Sequence, residues 1–298
     1  IARPAANSAF ASSLILQGTC EAALPVEASG PGLATNVQTA CAGGQFSAPV
    51  ILSAGDGMKN VSVRQVDAAG NVASINIIYY RDATAPLVTV SQPMAGDIVQ
   101  GTITLAGTCE TGLMVQVSGS GVSNPNSFNC VNQTFSAPTT LSPGDGFKTV
   151  SVAQTDAASN TGAVTRVFLR DSTAPLVMLA APVNGAFVNG PVTVSGSCET
   201  GIPVVLYGSG VAATLSAACA SGFFSSSANL SAGDGSKEIR AGQTDAAGNS
   251  GVAAVIVTRD SVPPQLAITL PAADSMADLG LKVQGTCETG LAVTARGT

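Results

Sequence analysis

The chain has no histidine and no tryptophan, and only 10% of its 298 residues are charged. Without histidine it lacks the side chain that most often does acid–base work near neutral pH, and a common zinc ligand as well. Lys and Arg number 12 against 18 Asp and Glu, a net charge of −6. That balance excludes the clustered positive charge that nucleic acid or an anionic membrane surface demands. No apolar run approaches the roughly 18–20 residues of a membrane span, so this segment is not expected to insert into a bilayer. Aromatic residues make up 4% of the chain. Any core must therefore be built from small and β-branched side chains, which gives a small unit little surplus stability.

What is present is a repeat. Cysteines stand at Cys20, Cys41, Cys109, Cys130, Cys198, Cys219 and Cys287. Within each pair the spacing is 21, and the first member recurs every 89 residues without a gap. Periodicity of this kind is the signature of an array in which each repeat is one structural unit. The units read as residues 1–84, 85–173, 174–262 and a partial fourth, 263–298. Cys287 opens a fourth cysteine pair, whose second member would fall at about position 308, and Ile1 aligns with Val90 of the second unit. The expectation is a piece of a longer array. Paired cysteines with no further Cys or His nearby imply the disulfides Cys20–Cys41, Cys109–Cys130 and Cys198–Cys219, and hence an oxidising compartment.

The second unit shows the local pattern. Leu87–Val90, Gly101–Cys109, Leu113–Val117, a segment around Cys130, Thr134–Leu141, Lys148–Gln154 and Ala163–Leu169 alternate apolar with polar or small residues. Between them lie turn signals at Gly96-Asp97, Glu110-Thr-Gly112, Gly119-Ser-Gly121, Gly144-Asp-Gly146 and Asp156-Ala-Ala-Ser-Asn160. About seven short strands with no helical period predict an all-β fold of tandem immunoglobulin-like sandwiches, one disulfide each. The cysteine loop is expected to tie the end of the second strand to the fourth, unlike the staple of antibody domains. Phe46, Phe135 and Phe224 fall in the fifth strand, as core residues. The units are joined by Arg81-Asp-Ala-Thr-Ala-Pro86, Arg170-Asp-Ser-Thr-Ala-Pro175 and Arg259-Asp-Ser-Val-Pro-Pro264, short proline-containing links that should be stiff.

The motifs Asp67-Ala-Ala-Gly-Asn71, Asp156-Ala-Ala-Ser-Asn160 and Asp245-Ala-Ala-Gly-Asn249 each precede a strand and then a joint. This coupled pattern resembles the bacterial immunoglobulin-like (BIg-type) tandem repeats of large surface adhesins and extracellular fibre proteins. The resemblance implies a fibre at the bacterial cell surface. It also implies calcium at the domain junctions, with Asp67 and Asp82, Asp156 and Asp171, and Asp245 and Asp260 as candidate ligand pairs. The competing reading is that these acids make turns by accepting bonds from their own backbone. Asp56, Asp145 and Asp234 recur in the Gly-Asp-Gly turns, read as structural.

Other readings are weaker. Gly119-Ser-Gly121 and Gly208-Ser-Gly210 lack the Lys and following helix of a phosphate loop. Lys59, Lys148 and Lys237 with Asn71, Asn160 and Asn249 raise an isopeptide bond, which a disulfide makes redundant. No site occurs once, as a catalytic centre would, so the chain is expected not to be an enzyme. The leading expectation is an extracellular structural or adhesive rod or fibre segment. Its partners would be neighbouring repeats, with further copies of the chain or a host or cell-surface ligand as additional ones. The alternatives are an array that binds glycan or protein through sandwich loops, and a subunit of a self-assembling surface filament or sheath.

Overall fold

The computed structural model describes residues 1–276 and 280–296. The chain falls into two compact units, Ile1–Thr173 and Ala174–Thr298, and the described residues contain strands and no helix.

The first unit holds two sandwiches. In the first, β1 (Ala9–Phe10), β2 (Ser13–Thr19), β3 (Pro25–Ser29), β4 (Val37–Ala40), β5 (Gln45–Ile51), β6 (Gly57–Val66) and β7 (Val72–Arg81) form two sheets, ordered β1-β7-β6-β3-β4 and β2-β5. In the second, β8 (Ile98–Val99), β9 (Thr102–Thr108), β10 (Met114–Ser118), β11 (Asn126–Asn129), β12 (Thr134–Thr140), β13 (Gly146–Thr155) and β14 (Thr161–Arg170) repeat that plan as β11-β10-β13-β14-β8 and β12-β9. Alternation drives the layering. In β2, Leu14, Leu16 and Gly18 are buried while the residues between them face solvent, so one face meets the opposing sheet.

The second unit contains β15 (Met178–Ala181), β16 (Phe187–Val188), β17 (Val192–Ser197), β18 (Val204–Tyr207), β19 (Leu215–Ala217), β20 (Phe223–Ala228), β21 (Gly235–Thr244) and β22 (Ser250–Arg259). They form sheets β15-β17-β20 and β16-β22-β21-β18-β19. After them β23 (Leu266–Leu270) pairs with β24 (Gln284–Cys287). Each of the three sandwiches has its own hydrophobic core, and Phe46, Phe135 and Phe224 lie inside them.

These are tandem immunoglobulin-like sandwiches, as the strand pattern implied. Two details differ from the sequence reading. Leu87–Val90 does not form a continuous ladder, although Thr89 N donates to Thr108 O (3.0 Å) and Ser91 N to Ala106 O (2.8 Å); its counterpart in the third sandwich is β15. The two-residue strands β1, β8 and β16 add a parallel edge beside β7, β14 and β22, too short to register as alternation. Close approach of the first strand depends on a missing side chain: a Cβ on Gly107 would stand 1.9 Å from Thr89 O, and one on Gly196 1.8 Å from Met178 O.

The disulfides form as expected, Cys20–Cys41, Cys109–Cys130 and Cys198–Cys219, with Cα separations of 5.9, 6.0 and 6.1 Å. Each runs from the end of a second strand such as β9 to the end of an edge strand such as β11. These belong to opposite sheets, so the staple does cross the sandwich, at one end of it.

Candidate functional site

The repeated polar residues gather where each sandwich meets its joint. Strand β6 starts just after the Gly55-Asp56-Gly57 turn, and Gly57 pairs with Arg81 at the end of β7. That register sets Asp56 beside the joint. Its Oδ1 accepts from Arg81 Nη1 (3.0 Å) and Ala83 N (3.0 Å), and its Oδ2 from Thr84 Oγ1 (2.8 Å). Asp145 does the same for the second joint: Oδ1 takes Arg170 Nη1 (3.3 Å), Ser172 N (3.0 Å) and Ser172 Oγ (2.7 Å), and Oδ2 takes Thr173 Oγ1 (2.7 Å). Asp234 accepts from Ser261 Oγ (2.8 Å) and faces Arg259 Nε at 3.9 Å. Val262 replaces the joint threonine there, so that grip has one hydroxyl, Ser261, against two at the second joint.

The buried Lys59, Lys148 and Lys237 support these turns. Their Nζ atoms donate to Ala54 O, Pro143 O and Ala232 O at 3.0, 3.0 and 2.9 Å. None approaches an isopeptide partner, because Lys59 lies near the start of β6 and Asn71 beyond its far end; Lys148 with Asn160 and Lys237 with Asn249 are placed alike.

The proposed calcium pairs are not brought together. Asp67 and Asp82 stand at opposite ends of the ten-residue β7, Asp156 and Asp171 at opposite ends of β14, and Asp245 and Asp260 at opposite ends of β22. An extended strand of that length separates them by on the order of 30 Å. The turn acids are engaged locally instead. Asp67 accepts from Ala69 N (2.9 Å), Asn71 N (2.8 Å) and Asn71 Nδ2 (2.8 Å). Asp156 repeats this with Ala158 N, Asn160 N and Asn160 Nδ2. Asp245 does so with Asn249 N and Nδ2. Asp82, Asp171 and Asp260 fold onto their own joints, accepting from Thr84, Thr173 and Val262 N at 3.1, 3.0 and 3.1 Å. Among the described residues no three Asp, Glu, His or Cys side chains cluster as a metal site would require.

What the turn meets is the joint before it. Asn160 Nδ2 donates to Asp82 O at 2.8 Å, and a Cβ on Gly162 would stand 1.7 Å from Pro86 O. The first joint is therefore held by Asp56 of the preceding sandwich and by Asn160 of the following one.

One repeated residue lies outside every motif read from the sequence. Gln154 is fully buried and Gln243 almost so. Gln154 Oε1 accepts from Glu110 N (2.8 Å), and its Nε2 donates to Glu110 O (3.1 Å) and Leu113 O (3.3 Å). Gln243 clamps Glu199 and Ile202 in the same way, and the half-buried Gln65 clamps Glu21 and Leu24. The glutamate after each first cysteine thus contributes its backbone. The signal was available: Gln154 shares the inward parity of Val150 and Val152.

Hydrogen bonds hold six carboxylates below the usual range. For Asp56 the leading cause is Thr84, for Asp67 the Asn71 side chain, for Asp145 Ser172 and for Asp234 Ser261. For Asp156 and Asp245 desolvation pushes upward, and the bonds from Asn160 and Asn249 with their turn backbones outweigh it. A lowered folded pKa means that the unfolded chain binds more protons, so stability rises with pH through that window. The melting temperature is expected to be level above about pH 5 and to fall as the pH drops below about 4, toward the lower folded values. A thermal melt unchanged between pH 6 and pH 3 would remove these carboxylates from the stability account.

No family model matches the chain, and no curated protein does. Among solved structures it is similar to the fibronectin(III)-like modules of Clostridium thermocellum CbhA, with 16% identity over 58% of this chain and 94% of that one and a TM-score of 0.38. The tetra-tandem repeat in the extending region of a large adhesion protein is 20% identical over 89% of this chain and 75% of that one, at TM-score 0.29. The ICAM-5 D1–D4 ectodomain fragment is 15% identical over 96% and 82%, at 0.37. Likenesses at this level carry no argument about function. The class of the chain, tandem immunoglobulin-like sandwiches with one disulfide each, rests on its own strands, sheets and cysteines.

Proposed function

We propose that the chain is a segment of a non-enzymatic extracellular structural or adhesive fibre of the bacterial immunoglobulin-like repeat type. The observation that carries this reading is the first joint, gripped by Asp56 on one side and Asn160 on the other. Polar chemistry recurring with the 89-residue period is spent on joints and turns, as it is in a protein whose product is its own geometry. Three disulfides support an oxidising, extracellular setting. Repeats that touch mainly their neighbours give nearly additive stability and tolerate changes in array length.

Stretching single oxidised molecules between their ends tests the reading. Three similar unfolding events are expected, each releasing on the order of 200 Å of chain, and roughly 70 Å more once the 21-residue loop is reduced. A single event, or loss of resistance spread evenly along the extension, would sink the modular-fibre reading.

A further inference from the structure

The fifth strand of each sandwich is a sheet edge, and the three edges are not equally protected. In each, residues of one parity aim their main-chain groups away from the neighbouring strand. In β12 those residues are Thr134, Ser136, Pro138 and Thr140, since Leu141 N turns inward to Gly101 O. Pro138 offers no donor at the middle of this edge, and Pro49 does the same in β5. A proline there is a recognised guard against edge-to-edge pairing. In β5 the outward Ser47 O is further occupied by Thr39 Oγ1 at 3.1 Å.

The third sandwich has neither device. Ser227 stands where the prolines stand, and Ala217 where Thr39 stands. At the two ends of the outward row the carbonyls are taken: Phe223 O accepts from Ala220 N (3.0 Å), and Asn229 O from Ala212 N (2.9 Å). Between them Ser225 and Ser227 present two N–H and two C=O groups to an exposed edge, and no charged residue occurs from Phe223 to Asn229. Phe223 is 69% exposed beside them.

We propose that β20 is a self-association edge, at which a second copy of this chain adds its own β20 antiparallel about a two-fold axis. The occupant follows from the hydrogen-bond pattern. Centred on Ser226, the two-fold sets Ser225 opposite Ser227 of the second copy and the reverse. Each pair exchanges N–H···O bonds in both directions, as an antiparallel hydrogen-bonded pair does. The two donors and two acceptors of Ser225 and Ser227 are satisfied by the same sequence, which makes the contact isologous and closed. Small serine side chains let the backbones approach, and the absence of charge removes repulsion between identical strands. The proposal rests on the fold alone and not on the fibre reading.

The test is sedimentation of the full chain over a concentration series, in a Cys287→Ser background that removes the exposed thiol. A reversible dimer with a dissociation constant on the order of 100 µM is expected for so small a contact. Ser227→Pro should abolish it and leave the fold unchanged, because proline is the residue already present at 49 and 138. Hydrogen exchange supplies the location: protection of the Ser225 and Ser227 amides should rise with concentration in the parent, whereas in Ser227→Pro, which has no amide at 227, the exchange of Ser225 should not depend on concentration. A chain that stays monomeric to millimolar concentration overturns the proposal. So does a dimer that survives Ser227→Pro, as association through the exposed Leu266 and Ile268 would, and so do amides whose exchange ignores concentration.

Discussion

Replacing Gln154 by leucine is expected to destabilise the second sandwich by about 3 kcal/mol. The side chain is fully buried and holds three main-chain groups, Glu110 N, Glu110 O and Leu113 O. Leucine fills a similar volume, so the loss is one of hydrogen bonding. It leaves the Glu110 N–H and two carbonyls without the partner of three part-buried bonds, at about 1–3 kcal/mol for a buried unsatisfied group. Gln65→Leu in the first sandwich makes the internal control. Its amide binds the same backbone positions but is only half-buried, so water replaces part of what is lost and the cost should be smaller. Hydrogen exchange of the β10 and β13 amides reads the second sandwich on its own, without assuming that the whole array unfolds as one. A cost below about 1 kcal/mol, or an equal cost at Gln65, would show that the clamp is a bystander.

Removing the second staple by the double change Cys109→Ala and Cys130→Ala should cost a similar amount, about 3 kcal/mol. The chain-entropy relation gives that figure for a closed loop of 21 residues. Both cysteines are buried in the core, so some packing is lost as well. The same turn is at stake in both experiments. Gly112 N donates to Cys130 O (3.3 Å) and Cys109 N to Gln133 O (3.1 Å), while Gln154 grips Glu110 and Leu113 between them. Residues that share partners do not contribute additively. The triple variant should therefore fall short of the sum of the two losses, and strict additivity would mean that the clamp and the staple act on separate structures.

The difference between what was legible and what was not follows from range. Cysteine spacing, strand alternation and turn residues are local signals, and they gave the sandwiches, the staples and the buried Phe46, Phe135 and Phe224. The acids were harder, because their meaning depends on which end of a strand they occupy. Asp67 and Asp82 look close in sequence, yet everything between Val72 and Arg81 is extended chain. The joint's real holder, Asp56, lies 26 positions before Asp82, and only the β6–β7 register brings the two turns side by side. Gln154 is harder to read because a polar residue late in a strand suggests a solvent-facing position, although its parity with Val150 and Val152 points it inward.

The short parallel edge has a mechanical meaning. Strand β8 enters the second sandwich and runs alongside β14, which leaves it. The two are joined by Gly96 N to Val167 O, Leu169 N to Asp97 O and Asp171 N to Val99 O, at 2.9, 3.0 and 2.9 Å. Tension applied through the entering and leaving chain drags these strands past one another in opposite directions. The three bonds then bear shear together instead of peeling apart one after another. The strand pair too short to see in the sequence is thus the one placed to set how hard the sandwich can be pulled before it yields.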